Sequence, residues 1–136
     1  MATTYPLQVV SMDGLEFEGE VERISLRTVH GDIAILARHI NYCTAFGMGT
    51  ARIVLADGTE RKAACIGGMI SMMNGRCRLL PTTWEWSEEI DLERAMNARA
   101  RAEERLKDAT ISSEARVRAE AKLYRAMIRI GTAGGK

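Results

Sequence analysis

The chain has 136 residues, of which 46% are hydrophobic and 27% are charged. This length gives room for one modest core, or for a small core with an appendage, which excludes two full-sized domains. Nineteen Lys and Arg balance 18 Asp and Glu, so the formal charge of +1 is too small to attract nucleic acid non-specifically. The longest apolar run has five residues, whereas a membrane span needs about twenty, so we expect membrane association only through a partner.

Cysteines and histidines are too scattered to indicate a metal site or a disulfide framework. Cys43, Cys65 and Cys77 are odd in number and form no CxxC pair, and His30 and His39 have no second ligand at helical or hairpin spacing. We therefore expect reduced, mostly buried thiols and no metal.

The first ten residues lack the basic and apolar regions of a secretory signal or transit peptide. This favours a location of the protein on the cytosolic side of a membrane.

Residues 1–86 are predicted to form a β-domain, because glycine and proline recur along them while residues 87–130 contain neither. Apolar positions alternate with glutamates from Leu15 to Val21, which predicts a half-buried strand. The apolar residues stand at odd positions up to Val21 but at even positions from Ile24 onward. A strand can keep them on one face only if it contains a bulge or bend between these positions. With further strands around 7–10, 33–36 and 42–46, about ten short strands would form an antiparallel β-sandwich or barrel.

Three glycine-containing pairs mark turns or bends in this domain. Asp57-Gly58 and Asn74-Gly75 predict hairpins with two-residue turns, since both turn positions need a positive φ. Gly67-Gly68 predicts a strand bulge or tight packing rather than a phosphate loop, because no Lys-Ser/Thr follows at the right distance. Trp84 and Trp86 are expected to pack against the sandwich.

Residues 87–136 are predicted to form an antiparallel helical hairpin with a flexible glycine-rich tail. Ser87 is a candidate N-cap, and carboxylates follow it in the first turn of a helix that should end near Leu106. Ser112 or its neighbour Ser113 would cap a second helix that runs to about Ile130.

Small residues are expected to form the seam of this hairpin. They recur at helical spacing, at Ala95, Ala98, Ala102, Ala109, Ala115, Ala119 and Ala126. Alanine buries little apolar area, about 0.8 kcal/mol for each CH₂-sized group. The sequence therefore predicts a weakly held hairpin that can open.

The sequence contains no GxSxG, HExxH or GxxxxGK[ST] motif, and no nucleophile is paired with a base, so we expect no catalytic residues.

The most informative cluster of residues in the sequence is charged. If the hairpin turns near residue 109, Asp91 and Arg94 come close to Arg125 and Arg129 at its open end. Three guanidiniums against one carboxylate leave a positive site suited to phosphate. A solvated basic face is the alternative interpretation of the stripe on the second helix, which comprises Arg118, Lys122, Arg125 and Arg129.

The order of these parts resembles the epsilon subunit family of F-type ATP synthases over about residues 7–130. Three stretches carry the resemblance: Gly31-Asp-Ile-Ala-Ile-Leu36 with His39, Gly67-Gly68, and Glu89-Ile-Asp-Leu-Glu-Arg-Ala95. The resemblance implies a ten-stranded β-sandwich that contacts the gamma subunit and the ring of c subunits, with the loop around His39 among its contacts. It also implies a two-helix part that lies folded or extends into the catalytic head of alpha and beta subunits.

The family's tasks are to couple rotation to ATP synthesis and, in many bacteria, to restrain ATP hydrolysis at the cytoplasmic face of the cell membrane, with no required cofactor. The resemblance implies ATP as a possible regulatory ligand. Two motifs of the family's ATP-binding members match this sequence. The first matches Ile90, Asp91, Arg94 and Ala95, and the second matches Arg125 and Arg129. Glu85 and Arg101 are weaker candidates for the same site. The basic face with Arg118 and Lys122 would meet acidic segments of the catalytic subunits when the hairpin opens.

Two further expectations accompany this interpretation. Ala34, Ala37, Arg38 and Asn41 stand where the family has glycine and proline, so the loop around His39 should be shaped differently. The excess of 15 Arg over 4 Lys suggests an alternative function, an Arg-rich helical module that binds nucleic acid. The near-neutral charge and the lack of a nucleic-acid-binding motif speak against that alternative.

Overall fold

The computed structural model describes residues 3–28, 31–37 and 41–134. The chain forms two compact units, Met1–Trp86 and Ser87–Lys136. In its described part the first unit has seven strands, β1 (Tyr5–Ser11), β2 (Gly14–Thr28), β3 (Gly31–Leu36), β4 (Tyr42–Phe46), β5 (Gly49–Leu55), β6 (Glu60–Met73) and β7 (Arg76–Trp86). The predictions for the two histidines and for Arg38 lie outside the described residues.

The strands form a sandwich of two layers, because β2, β6 and β7 are long enough to bend and contribute a segment to each. The pairings give one layer the order β2, β1, β7, β6, β4, which we call the β1 layer. They give the other the order β3, β2, β5, β6, β7, which we call the β5 layer. The predicted sandwich is confirmed, and the ten expected short strands correspond to ten segments of seven described strands.

The predicted change of phase in β2 is confirmed as a bulge at the corner between the layers. Val21 pairs with Leu55 and Arg23 pairs with Val54, so the intervening Glu22 has no partner on β5. The buried Tyr5 phenol lies at this corner, where its oxygen accepts a hydrogen bond from the backbone N–H of Ile24 at 3.1 Å and donates one to the Ile35 carbonyl. Burial raises the pKa of this phenol above its ordinary value. The hydroxyl thus satisfies two backbone groups at the corner.

A second bulge overturns the prediction for Leu15. Val9 pairs with Phe17 but Val10 pairs with Leu15, so Glu16 is extra and the strand reverses its faces beyond it. Leu15 is therefore 58% exposed instead of lying in the core. The buried Ser11 hydroxyl holds the extra residue by donating to the Glu16 carboxylate at 2.6 Å.

Both predicted hairpins form, but only one has the predicted two-residue turn. Asn74 and Gly75 have φ values of +53° and +77°, and Met73 pairs directly with Arg76. The other connection spans residues 56–59, with only Gly58 at positive φ and its N–H donating to the Leu55 carbonyl at 2.9 Å. This is a type I turn followed by a glycine in the left-handed region. An Asp-Gly pair is compatible with such a longer turn as well as with a two-residue turn, because only the glycine then needs a positive φ.

The core lies between the layers and is built from inward-facing aliphatic and aromatic residues. Leu7, Ile24, Ile53 and Ile70 are among its fully buried members. Trp84 and Trp86 belong to the same cluster, which confirms their predicted packing. Their rings meet edge to face with centroids 5.3 Å apart, a favoured aromatic geometry.

The three thiols differ in accessibility. Cys65 and Cys77 are buried, and burial raises both pKa values, that of Cys77 to about 12, whereas Cys43 is exposed. Because the thiolate is the reactive form, we expect Ellman's reagent at pH 8 to titrate one thiol in the native protein and three in guanidinium chloride. A Cys43→Ser variant should show none before unfolding. Native titration of two or three thiols would contradict this arrangement.

The second unit is an antiparallel helical hairpin of α1 (Leu92–Leu106) and α2 (Ser113–Gly134). Ser87 is not the N-cap of α1, because Ser87–Glu89 form a separate 3₁₀ turn and the Asp91 carboxylate caps the helix instead. Ser112 caps α2 as predicted, with its hydroxyl accepting from the Ala115 N–H at 3.1 Å. No helix in the described ranges is long and apolar enough to cross a membrane.

The prediction of a flexible tail is wrong for residues 131–134, because α2 continues to Gly134. The Thr132 side chain is only 1% exposed, and its hydroxyl donates to the Ile128 carbonyl at 2.7 Å. This buried residue orders the last turn despite the glycines on either side. A helix end is thus decided by packing as well as by propensity.

Candidate anion-binding site on the helical hairpin

The seam of the hairpin consists of buried alanines, as predicted. They are Ala95, Ala102, Ala115, Ala119 and Ala126, each at most 6% exposed. Ala98 is half-buried, whereas Ala109 is exposed because it lies in the connection between the helices and outside the seam. The small side chains let the helices approach closely.

Four of the seam alanines are each preceded by an arginine, which fixes where those arginines point. The pairs are Arg94-Ala95, Arg101-Ala102, Arg118-Ala119 and Arg125-Ala126. In an α-helix the preceding residue lies about 100° to one side. Because the two helices are antiparallel and face each other, the same offset puts all four arginines on one face of the hairpin.

Three more cations share this side, because each follows a seam alanine by three residues. These are Arg105, Lys122 and Arg129. We call the set the basic face, comprising Arg94, Arg101, Arg105, Arg118, Lys122, Arg125 and Arg129. The sequence analysis did not include Arg105. Arg101 follows Arg94 by seven residues and Arg105 follows Arg101 by four, and both spacings keep side chains on one face of a helix, so the spacing contained the signal for Arg105.

Five cations of the basic face have no nearby carboxylate in the described part of the chain. The hairpin's ion pairs include Arg99–Glu103 at 3.5 Å, on the opposite side, and Lys107–Glu104 at 3.9 Å in the last turn of α1. In the described part of the chain, no carboxylate lies within 4.0 Å of the side-chain nitrogens of Arg94, Arg101, Arg118, Lys122 or Arg125. Guanidiniums without an internal counterion are suited to an external anion.

Asp91 and Ile90 have different roles from the arginines. The Asp91 carboxylate accepts a hydrogen bond from the Arg94 N–H at 3.0 Å, and this cap fixes the first turn of α1. Its side chain is exposed and, among the described residues, lies within 4.0 Å of no guanidinium. Ile90 is half-buried just before the cap.

The remaining candidates are distributed as follows. Arg125 and Arg129 are half-buried near the open end of the hairpin, where Ala95 and Ala126 lie in the seam. Arg101 lies two turns along α1 from Arg94, so it extends the face toward the connection. Glu85 belongs to the sandwich unit, where it pairs with Ala64 across β6 and β7.

The connection that closes the hairpin is locally ordered. The Asp108 carboxylate accepts from the Thr110 hydroxyl at 2.6 Å and from its N–H at 2.9 Å, and these bonds lower the pKa of Asp108. The closed end therefore has its own hydrogen bonds. At the open end, Ala95 and Ala126 lie in the seam, and each buries little apolar area.

Comparisons with known proteins assign both units to one family. Residues 4–87 match the β-sandwich domain of the ATP synthase delta/epsilon chain, and residues 88–134 match its long α-helix domain. The chain is 39% identical over 126 residues to the ATP synthase epsilon chain of Caldicellulosiruptor bescii, covering 93% of this chain and 90% of that one. It is 35% identical over 133 residues to the epsilon chain of Shouchella clausii, covering 98% and 97%.

The fold is also found in a solved assembly. A chain of the Euglena gracilis mitochondrial ATP synthase OSCP/F1/c-ring structure superposes with a TM-score of 0.79 at 22% identity, covering 90% of this chain and 77% of that one. The family domains span both units in the predicted order, which confirms the resemblance and disfavours the nucleic-acid-binding alternative. The chain therefore belongs to the delta/epsilon family of ATP synthase subunits.

Proposed function

We propose that this chain is a non-catalytic subunit of the rotor whose helical hairpin restrains ATP hydrolysis and is held closed by ATP. As an epsilon subunit it belongs to the central stalk, with the gamma subunit, the c ring and the catalytic head as its partners. We place it at the cytoplasmic face of a bacterial cell membrane, attached only through the complex. The observation that carries the proposal is a row of five cations beside an alanine seam, none with a described carboxylate within 4.0 Å: Arg94, Arg101, Arg118, Lys122 and Arg125.

ATP would favour the closed hairpin because its phosphates bridge the two helices. Arg94 lies on α1, whereas Arg125 and Arg129 lie on α2, so an anion held by all three ties the helices together at the open end. Linkage gives a stabilisation of RT ln(1 + [ATP]/Kd), about 1.4 kcal/mol at ten times Kd. That energy shifts a two-state equilibrium about tenfold.

In the absence of ATP the hairpin opens and the basic face becomes available to the catalytic head. Arg118 and Lys122, both exposed on that face, would contact acidic segments of the alpha and beta subunits. Such a contact stops rotation in the hydrolytic direction. His39, which lies outside the described residues, remains a proposed contact with the rotor.

Removing the hairpin tests the inhibitory part of this function. We expect the full chain to inhibit ATP hydrolysis by an isolated catalytic head that carries its gamma subunit, and a chain ending at Trp86 to bind without inhibiting. The reason is that the two compact units divide after Trp86, so the truncation leaves the sandwich complete. Steady-state hydrolysis and a binding titration of both proteins measure the two properties.

A full chain with Arg118→Glu and Lys122→Glu is the matched control, because it keeps the hairpin but reverses the proposed contact. It should bind normally and inhibit weakly. Equal inhibition by the full and truncated chains would remove the hairpin from the mechanism.

A further inference from the structure

The basic face of the hairpin contains two groups of three cations, and each group takes one arginine from α1 and two cations from α2. We call Arg94, Arg125 and Arg129 the open-end triad and Arg101, Arg118 and Lys122 the inner triad. Each member of the inner triad lies seven residues from its counterpart in the open-end triad. The cations therefore repeat with the same period on both helices.

This period makes the inner triad a translated copy of the open-end triad. Seven residues are close to two turns, so a shift of seven moves a side chain about 10 Å along the helix and rotates it by only about 20°. Because the helices are antiparallel, the shift leads toward the connection on both. The seam repeats as well, since the buried Ala102 and Ala119 lie seven residues from Ala95 and Ala126 in the same direction. The inner triad therefore presents three cations in the same arrangement, with a lysine in place of one arginine.

The inner triad keeps its charge for an external anion. All three members are exposed, and in the described ranges no carboxylate lies within 4.0 Å of their side-chain nitrogens. Two carboxylates of α1 pair with other cations, Glu103 with Arg99 at 3.5 Å and Glu104 with Lys107 at 3.9 Å. An anion that binds at the inner triad displaces neither of these ion pairs.

Three cations on one side of the hairpin favour a phosphoryl group over a carboxylate. A terminal phosphoryl group has three acceptor oxygens and nearly two negative charges, whereas a carboxylate has two oxygens and one charge. The guanidiniums of Arg101 and Arg118 have the planar donors that bind phosphate oxygens in pairs, and Lys122 adds a third positive charge. The inner triad is therefore suited to the same chemical group as the open-end triad.

Positive charge continues between the two triads. On α2 the four cations follow one another at spacings of four, three and four residues, so Lys122 of one triad adjoins Arg125 of the other. On α1 the interval between the triads is occupied by Ala98, which is small and half-buried. A single phosphoryl group fills one triad, whereas a linear chain of phosphoryl groups that spans about 10 Å fills both.

The aromatic residue of the hairpin lies away from the basic face. Tyr124 is the one aromatic residue among residues 87–136, and it is at least about 100° around α2 from each cation of that face. Proteins that bind single-stranded nucleic acid combine a basic groove with aromatic side chains on which the bases stack. Cations without such rings favour an inorganic chain of phosphates over a nucleic acid.

We propose that the inner triad is a second phosphoryl-binding site of the closed hairpin, and that the two triads together bind a chain of inorganic polyphosphate. Each triad has members on both helices, so the bound chain ties α1 to α2 at two levels. The binding does not depend on whether ATP controls the hairpin. The bound chain also withholds Arg118 and Lys122 from the catalytic head, and this consequence alone rests on the proposed function.

The test titrates sodium polyphosphate into the full chain by calorimetry, with no nucleotide present. Polyphosphate should bind at least about 100-fold more tightly than orthophosphate, because a linked ligand engages its second site at a high effective concentration. Replacing Arg118 and Lys122 together with alanine should weaken polyphosphate binding about 100-fold, since two charged contacts are lost. The same variant should bind ATP with unchanged affinity, because it retains the open-end triad.

The control removes the same charge from elsewhere on the hairpin. Arg99→Ala with Lys107→Ala deletes two cations that lie outside the basic face, where they pair with Glu103 and Glu104. This variant should bind polyphosphate like the wild type. The replaced residues of both variants lie outside the alanine seam, and circular dichroism checks that the helices are kept.

Three results would overturn the proposal. One is wild-type affinity for polyphosphate after the loss of Arg118 and Lys122, and another is equal weakening by the control, which would reduce the effect to net charge. The third is a polythymidylate oligonucleotide that binds as tightly as polyphosphate. Failure of the wild type to bind ATP, with the polyphosphate results as expected, would instead contradict the proposed function and leave the second site in place.

Discussion

Replacing Gly68 with alanine is expected to destabilise the β-sandwich by about 4 kcal/mol, which combines backbone strain with a steric clash. Gly68 has a φ of +135°, which L side chains rarely adopt. A Cβ at this position would lie 2.2 Å from the Leu80 carbonyl oxygen and 2.7 Å from the Pro81 Cα. Both contacts are with backbone, so relief requires moving β7 away from β6. The loss is a large part of the total stability of about 5–15 kcal/mol that is typical of a protein.

Urea unfolding followed by tryptophan fluorescence measures this change, since both tryptophans lie in the sandwich core. Gly75→Ala is the matched control, because Gly75 also has a positive φ of +77° but nothing lies within 4 Å of a Cβ there. The control should lose only about 1 kcal/mol. Equal losses at the two positions would show that close approach of the strands contributes nothing.

Replacing Arg125 and Arg129 together with alanine is expected to weaken ATP binding at least about 100-fold. Each charged hydrogen bond to phosphate contributes about 1.5–3 kcal/mol, and two are removed. Isothermal titration calorimetry of ATP into the full chain measures the affinity. Arg125→Lys should retain part of the binding, because it keeps the charge but loses the planar pair of donors.

Arg99→Ala is the control for this experiment, because Arg99 is an exposed arginine of the same hairpin that pairs with Glu103 on the opposite face. It should bind ATP with unchanged affinity. If Arg99→Ala and the double variant weaken binding alike, the effect comes from net charge. If the double variant binds normally, Arg125 and Arg129 do not belong to the site.

The candidate site was predictable from sequence to the extent that it depends on helical periodicity. Arg94 and Arg125 each precede a seam alanine, so spacing alone puts them on one side of their helices. Periodicity did not place Asp91, which caps α1 and is within 4.0 Å of no described guanidinium. A cap is decided by which residue first leaves helical geometry, and both Ser87 and Asp91 have suitable side chains.

The sequence by itself determined the division after Trp86, the Asn74-Gly75 turn, the bulge before Ile24 and the alanine seam. These features depend on residues that are close together in the sequence, because turn residues are selected by their φ preferences and helix or strand faces by the spacing of apolar residues. Only the tertiary structure decided that Leu15 faces outward and that Gly68 lies against the backbone of β7. Those facts depend on register between strands distant in sequence, where one extra residue reverses every side chain beyond it.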